Sequence, residues 1–213
     1  ALGNFFFLVQ GSGRNILVDT GVTKRDGDRF NPDAVQSPEE DPFAQLAKHG
    51  VGLEAIQTVI ATHLHWDHVS PTILGMPNAK LYVSHAELDM VLNPPHPWFG
   101  QLVFREVIDQ LLAEMRVVET TDGNEVAPGV RVMSTPGHTF GGQSVIVSVP
   151  SGQAIITGDV CFTYRSLAED LPGRFNFNLI ECFNSLRRIR ETPGIVLPGH
   201  DLKMLQMFPE GVS

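Results

Sequence analysis

A chain of 213 residues, 42% apolar and 18% charged, is long enough for one substantial core and has the balance of a globular protein. Its formal charge of −9 argues against a nucleic-acid surface or an anionic membrane as partner, and no apolar run approaches the ~20 residues needed to span a bilayer. Cys161 and Cys182 are far apart and form no CxxC, which speaks against a disulfide framework. The amino end, ALGNFFFLVQGSGR, has no basic stretch ahead of an apolar one and does not read as a signal peptide. It lacks an initiator Met, so residues are expected ahead of Ala1, and a cytoplasmic location is the expectation.

In chain order, FFFLVQ and NILVDTG read as strands joined by the GSGR turn. Residues 21–41, rich in Asp, Pro, Asn and Arg, read as a long surface loop. PFAQLAKHG is a short helix with Asp41 as cap and Gly50 as stop. TVIAT is a buried strand that releases the polar THLHWDHVS; AKLYVS is a strand running into the helical HAELDMVL. NPPHPWFG breaks all periodicity, and QLVFREVIDQLLAEM follows with apolar residues at helical spacing. VRVMST, QSVIVSV and QAIIT are strands, NLIECFNSLRRIRE is an amphipathic helix, and GIVLP is a closing strand. No linker or low-complexity segment interrupts the chain, so one domain over residues 1–213 is expected. Strands followed by helices in each half predict an α+β fold of two sheets packed face to face with helices outside.

The eight histidines carry the chemistry. Five of them, His63, His65, His68, His138 and His200, fall at the ends of predicted strands. In an extended segment, residues two apart project to the same side, so His63, His65 and Asp67 are expected to face one point and His68 the neighbouring side. Imidazoles with a carboxylate suit Zn, Fe, Co or Ni. Four such groups so close together cannot easily surround one ion, which hints at two adjacent metals. His49, His85 and His96 have no ligand-type neighbours at useful spacing and read as solvated. Asp159, in GDVCFTY at the end of an apolar run, is by itself equally a ligand, a cap or a turn residue.

THLHWDH matches the HxHxDH signature of the metallo-β-lactamase superfamily, and LVDTG, TPGHT, TGD and PGHD follow its order from about Val18 to Asp201. The resemblance implies an αββα sandwich with two metals, zinc first with manganese, cobalt or iron as alternatives. It implies that His63, His65 and His138 hold one metal, that Asp67, His68 and His200 hold the other, and that Asp159 bridges them. Asp19 resembles the family's outer carboxylate that orients a ligand. Class B1 antibiotic-degrading enzymes carry Cys at the bridging position; Cys161, two residues on, reads instead as a small buried hydrophobe.

The second half, from GGQSVIVSVPSGQAIITGDV to IVLPGHD, is most similar to the N-acyl homoserine lactonase group. Glyoxalase II shares the ligand motifs but has a glutathione-binding extension, whereas about a dozen residues follow PGHD here. The activity implied is lactone or ester hydrolysis by a hydroxide shared between two ions ~3.5–4 Å apart, with the acyl homoserine lactones of quorum sensing as the best-known substrates. Thioesters, cyclic amides or phosphotriesters, and mononuclear iron oxygenation, are the alternatives. Asp67 resembles the proton shuttle to the leaving group. The lactonases place a Tyr three residues after the bridging Asp; this chain has Phe162 there, with Tyr164 two residues further on as a surrogate phenol donor. Trp98 and Phe99 in the Pro-rich loop, and Phe5 near the start, are expected either to wall a substrate pocket or to anchor their segments. Trp66 is expected to pack behind the metal motif. Relatives often pair, which makes a homodimer an expectation as well.

Overall fold

The computed structural model describes residues 2–11, 13–173 and 175–213. The chain divides into two compact units, one of residues 6–83 and 89–119, the other of residues 1–5, 84–88 and 120–213.

In the first unit a five-stranded sheet runs in the order β1-β2-β3-β4-β5: β1 (Phe7–Gly11), β2 (Arg14–Val18), β3 (Ile56–Ile60), β4 (Lys80–Ser84) and β5 (Val117–Thr120). The β1–β2 hairpin is antiparallel, with Phe7 opposite Val18, while β2, β3 and β4 are mutually parallel. Parallel strands are buried on both faces and read as unbroken apolar runs; Leu17, Val59 and Leu81 are fully buried. Because β2 and β3 are parallel with Val18 beside Ile60, the residues that follow them leave from the same edge.

The expected loop between β2 and the second helix contains a one-turn helix, α1 (Lys24–Gly27), capped by Thr23. In α2 (Pro42–Lys48), Asp41 accepts a hydrogen bond from the Phe43 N–H, as predicted. Next, α3 (His85–Leu92) continues directly from β4. The helix read from Gln101 begins only at α4 (Arg105–Ala113), burying Val107, Ile108 and Leu111. Its predicted first turn is diverted because the Leu102 carbonyl accepts the Trp66 N–H at 2.8 Å. Met115, expected on the apolar face, lies beyond the helix at φ 54° and is exposed.

In the second unit the sheet order is β10-β9-β8-β7-β6: β6 (Glu125–Ala127), β7 (Val130–Ser134), β8 (Gln143–Val149), β9 (Gly152–Ile156) and β10 (Ile195–Leu197). β6 to β9 are antiparallel neighbours and β10 is parallel to β9. Strands β7, β9 and β10 therefore run the same way and end at one edge of the sheet. The helices here are α5 (Tyr164–Ala168), α6 (Leu179–Glu191) and α7 (Lys203–Met207). Cys182, Leu186 and Ile189 of α6 pack with Met133, Ile146, Ile155, Val160 and Cys161. The sequence pattern does not reveal β5 and β6, which at four and three residues are too short to alternate. Among the described residues no helix is long and apolar enough to cross a membrane.

Candidate metal centre

In the first unit the ends of β2 and β3 deliver Asp19 and the segment Thr62–His68. Asp19 is buried, at φ 61°, and gathers three donors. Its Oδ1 accepts the Thr62 N–H at 2.7 Å, and its Oδ2 accepts the Thr62 hydroxyl at 2.9 Å and His68 Nδ1 at 2.8 Å. A carboxylate partner fixes the His68 proton on Nδ1, leaving Nε2 unprotonated and able to ligate. The Thr62 oxygen, already donating to Asp19, stands 3.1 Å from His63 Nδ1 and fixes that ring the same way. His63 Nε2 and His65 Nδ1 then face each other at 3.1 Å, two ring nitrogens directed at one spot.

The extended spacing expected for this segment holds only as far as His65. The His65 carbonyl accepts the N–H groups of His68 and Val69 at 3.0 and 2.9 Å, closing a turn. The turn brings Asp67 beside His68, with Oδ2 3.9 Å from Nε2, rather than beside His63 and His65. Trp66 packs behind the motif, as expected: its ring stacks on Phe30 at 5.3 Å, and Phe30 meets Phe104 edge-on at 4.9 Å.

In the second unit the ends of β7, β9 and β10 deliver His138, Asp159 and His200, all buried. Asp159 lies on a 3-10 turn, Gly158–Cys161. Its Oδ1 is 2.9 Å from His200 Nε2, and its Oδ2 is 3.5 Å from His138 Nε2. One carboxylate thus offers a separate oxygen to each of two imidazoles. His200 Nδ1 donates to the Gly3 carbonyl at 2.7 Å, so its Nε2 is the unprotonated nitrogen. Gly199 must lack a side chain, because a Cβ there would sit 2.7 Å from Asp159 Oδ1 and 2.8 Å from the Gly158 carbonyl.

This donor set fits zinc-type divalent ions: imidazole nitrogens, with the far N–H of His63, His68 and His200 tied to acceptors, and a carboxylate with both oxygens directed at ligand-type groups. Burial pushes the Cys161 thiol up to about 12, against its ordinary 9.0, so it stays protonated and behaves as a small hydrophobe.

Phe162 lies beside two of the ligand-type side chains of its unit, its ring 4.2 Å from His200 and 6.4 Å from His138. It follows a 3-10 turn in helical conformation, so the strand alternation that governed expectation for residues 162 and 164 does not apply. Tyr164 opens α5, its N–H bonded to Asp201 at 3.0 Å. Its hydroxyl is buried with no hydrogen-bond partner among the described residues. Burial raises its pKa, with the charge of Asp201 adding to the effect. Phe5 lies against Gly3, whose carbonyl holds His200. Trp98 is 54% exposed and meets Phe99 edge-on, so the indole does not anchor its loop to a core. His96 is a cap, its Nδ1 accepting the Trp98 N–H.

Two groups that shape the site lie outside the sequence reading. Thr62 ties Asp19 to His63, and its place directly before HxHxDH was the available signal. The Gly3 carbonyl carries no side-chain signal at all.

Residues 2–200 match the metallo-beta-lactamase superfamily, and the chain belongs to it. It has that superfamily's α+β fold. Among curated relatives, the N-acyl homoserine lactonase AiiA of Bacillus thuringiensis subsp. kurstaki is 27% identical over 92% of this chain and 81% of its own length. A solved N-acyl homoserine lactone hydrolase, with the product N-hexanoyl-L-homoserine at its catalytic metal centre, superposes with a TM-score of 0.81 at 23% identity, covering 99% of this chain and 87% of the other. AidC, a dizinc quorum-quenching lactonase, superposes at 0.69 and 18% identity over 93% and 72%.

Proposed function

We propose that this superfamily member, a metal-dependent hydrolase, opens lactones or closely related esters at a binuclear centre. In this reading residues 1–213 act as one hydrolase domain. His63, His65 and His138 would hold one ion and Asp67, His68 and His200 the other, with Asp159 available to both. The observation that carries the reading is Asp159, with one oxygen toward His200 and the other toward His138. Bound divalent ions, zinc in the first instance, would supply an activated water at neutral pH and polarise the substrate carbonyl.

The chain's own residues do the rest. Asp19 and the Gly3 carbonyl hold His68 and His200 in the tautomer that presents Nε2. Asp67 is the candidate shuttle, taking a proton from the attacking water and delivering it to the leaving alkoxide. Phe162 presents an apolar ring where the resemblance to lactonases leads one to expect a phenol, and Tyr164, with its unoccupied buried hydroxyl, is the candidate donor to the developing oxyanion. Phe5, Trp98 and Phe99 are the candidate apolar walls for an acyl or ring group.

Support for the lactone comes from the names of the relatives, since AiiA is an N-acyl homoserine lactonase. The apolar Phe162 favours a second reading, in which another ester or a thioester is the better substrate. Metal-loaded protein assayed by pH-stat against lactones, thioesters, phosphotriesters and cyclic amides separates the two. Absence of turnover on every lactone, with two ions bound per chain, sinks the lactonase reading.

A further inference from the structure

The loop from Thr135 to Gly142 carries His138 and is tied on two sides within its unit. Toward α6, the Gly137 carbonyl accepts the Asn178 N–H at 2.9 Å, the His138 carbonyl accepts the Phe177 N–H at 3.2 Å, and the Pro136 carbonyl accepts the Ser185 hydroxyl at 2.7 Å. Its ends close on each other through the Thr135 N–H and the Gly142 carbonyl at 2.8 Å. On the other side stands the first turn of α3. There the Glu87 Oε2 accepts the Gly141 N–H at 3.0 Å, the Ser84 hydroxyl donates to the Gly141 carbonyl, and the Glu87 N–H donates to Ser84 Oγ at 3.2 Å.

Both backbone groups of one residue are therefore gripped by a single helical turn. The fit is close enough that a Cβ on Gly141 would lie 2.1 Å from the Glu87 nitrogen and 2.4 Å from Ser84 Oγ. Glu87 is only 3% exposed, and a carboxylate is seldom found so deeply buried unless its hydrogen bonds require it there.

We propose that Glu87 is a positioning residue: through the Gly141 N–H, three residues beyond His138, it holds the imidazole where it can ligate. The role rests on His138 being a ligand, as proposed above. Ligand distances tolerate only about ±0.2 Å. The bonds toward α6 fix residues 136–138, the Phe140 ring meets Phe177 and Gly142 closes on Thr135, while in the return limb the Gly141 N–H and carbonyl are held by Glu87 and Ser84. Removing the carboxylate leaves a buried N–H unsatisfied and lets that limb shift. Replacing it by the amide keeps an oxygen acceptor in place.

The test is calorimetric titration of metal-free protein with Zn²⁺, following two binding events in the unaltered chain. Glu87→Ala is expected to weaken one of the two events about 10–100-fold, as loss of an outer partner does, and to leave the other unchanged. Glu87→Gln is expected to keep both. Two wild-type affinities in Glu87→Ala overturn the proposal, and so does equal weakening of both events with a fall in the melting temperature of the metal-free protein.

If the unaltered chain binds fewer than two ions, the binuclear reading fails. Amide exchange of metal-free protein then decides the positioning role: faster exchange at residues 137–142 in Glu87→Ala, with residues 62–68 unchanged, supports it, and no difference overturns it. Should Glu87→Ala not fold, Ser84→Ala loosens the same turn and is expected to weaken the same event by a smaller factor. Wild-type binding by that variant overturns the proposal.

Discussion

The candidate ligand residues of the two units are assembled in different ways. Those of the first lie within six residues, His63 to His68, fixed by a local turn on the His65 carbonyl and by one buried carboxylate, Asp19. Those of the second, His138, Asp159 and His200, come from the ends of three strands that happen to run the same way. A local motif needs one orienting group. A dispersed one needs each loop fixed separately, and glycines at close approaches supply that: Gly137 against the Cys182 backbone, Gly141 against Glu87 and Gly199 against Asp159. The dispersed set should accordingly be more sensitive to small changes away from the ligands.

The hardest test of this contrast is the shared carboxylate. Asp159→Ala is expected to lower both zinc content and kcat/KM by more than about 100-fold, since changes outside the ligands alone cost about 10–100-fold. Two zinc ions per chain retained through gel filtration would break the bridging role. Gly199→Ala, which drives a methyl group into Asp159 and the Gly158 carbonyl, should follow with a loss of about 10–100-fold in metal affinity although no ligand is altered.

Asp19→Ala should fall in the same range, acting chiefly on the ion assigned to His68 and less, through Thr62, on the one assigned to His63, as read by stepwise chelator competition. If it strips both ions, the first unit is no more self-sufficient than the second, and the contrast fails.

A pair of changes at the phenol comes next. Tyr164→Phe is expected to reduce kcat about 10-fold or more, by analogy with loss of an oxyanion donor. Phe162→Tyr, placing a hydroxyl on the ring above His200, should raise it. Unchanged kinetics in both would show that the metals polarise the carbonyl unaided.

The smallest effect concerns Cys161. With a thiol pushed up to about 12 from an ordinary 9.0, it should not react with a disulfide reagent at pH 8 until the protein is unfolded. The folded value is the higher one, so its contribution to stability is complete below pH 9.0 and is lost as pH rises toward 12. Urea midpoints across that range measure it.

The same contrast explains what the sequence reveals. HLHWDH declares itself because ligand-type residues stand together, and even there the turn after His65 moves Asp67 to His68, against the alternation of an extended strand. His138, Asp159 and His200 are recognisable only through resemblance to a family, because nothing local distinguishes Asp159 from a turn residue. The Gly3 carbonyl and the Glu87 clamp are silent because backbone acceptors and contacts between distant segments leave no local pattern. For the fold, long apolar strands and capped helices are legible, whereas β5 and β6 are too short to show a period.

The stack of Trp66 on Phe30 has a practical consequence. Trp66 is one of only two tryptophans in the chain, and it lies in sequence between His65 and Asp67. In a Trp98→Phe background its indole becomes the single tryptophan emitter, excited selectively at the red edge of the absorption, and it is set against an aromatic neighbour 5.3 Å away. Any tightening of the turn that carries His65, Asp67 and His68 must tilt that stack, so the chain holds a built-in optical gauge of when its ligand segment closes.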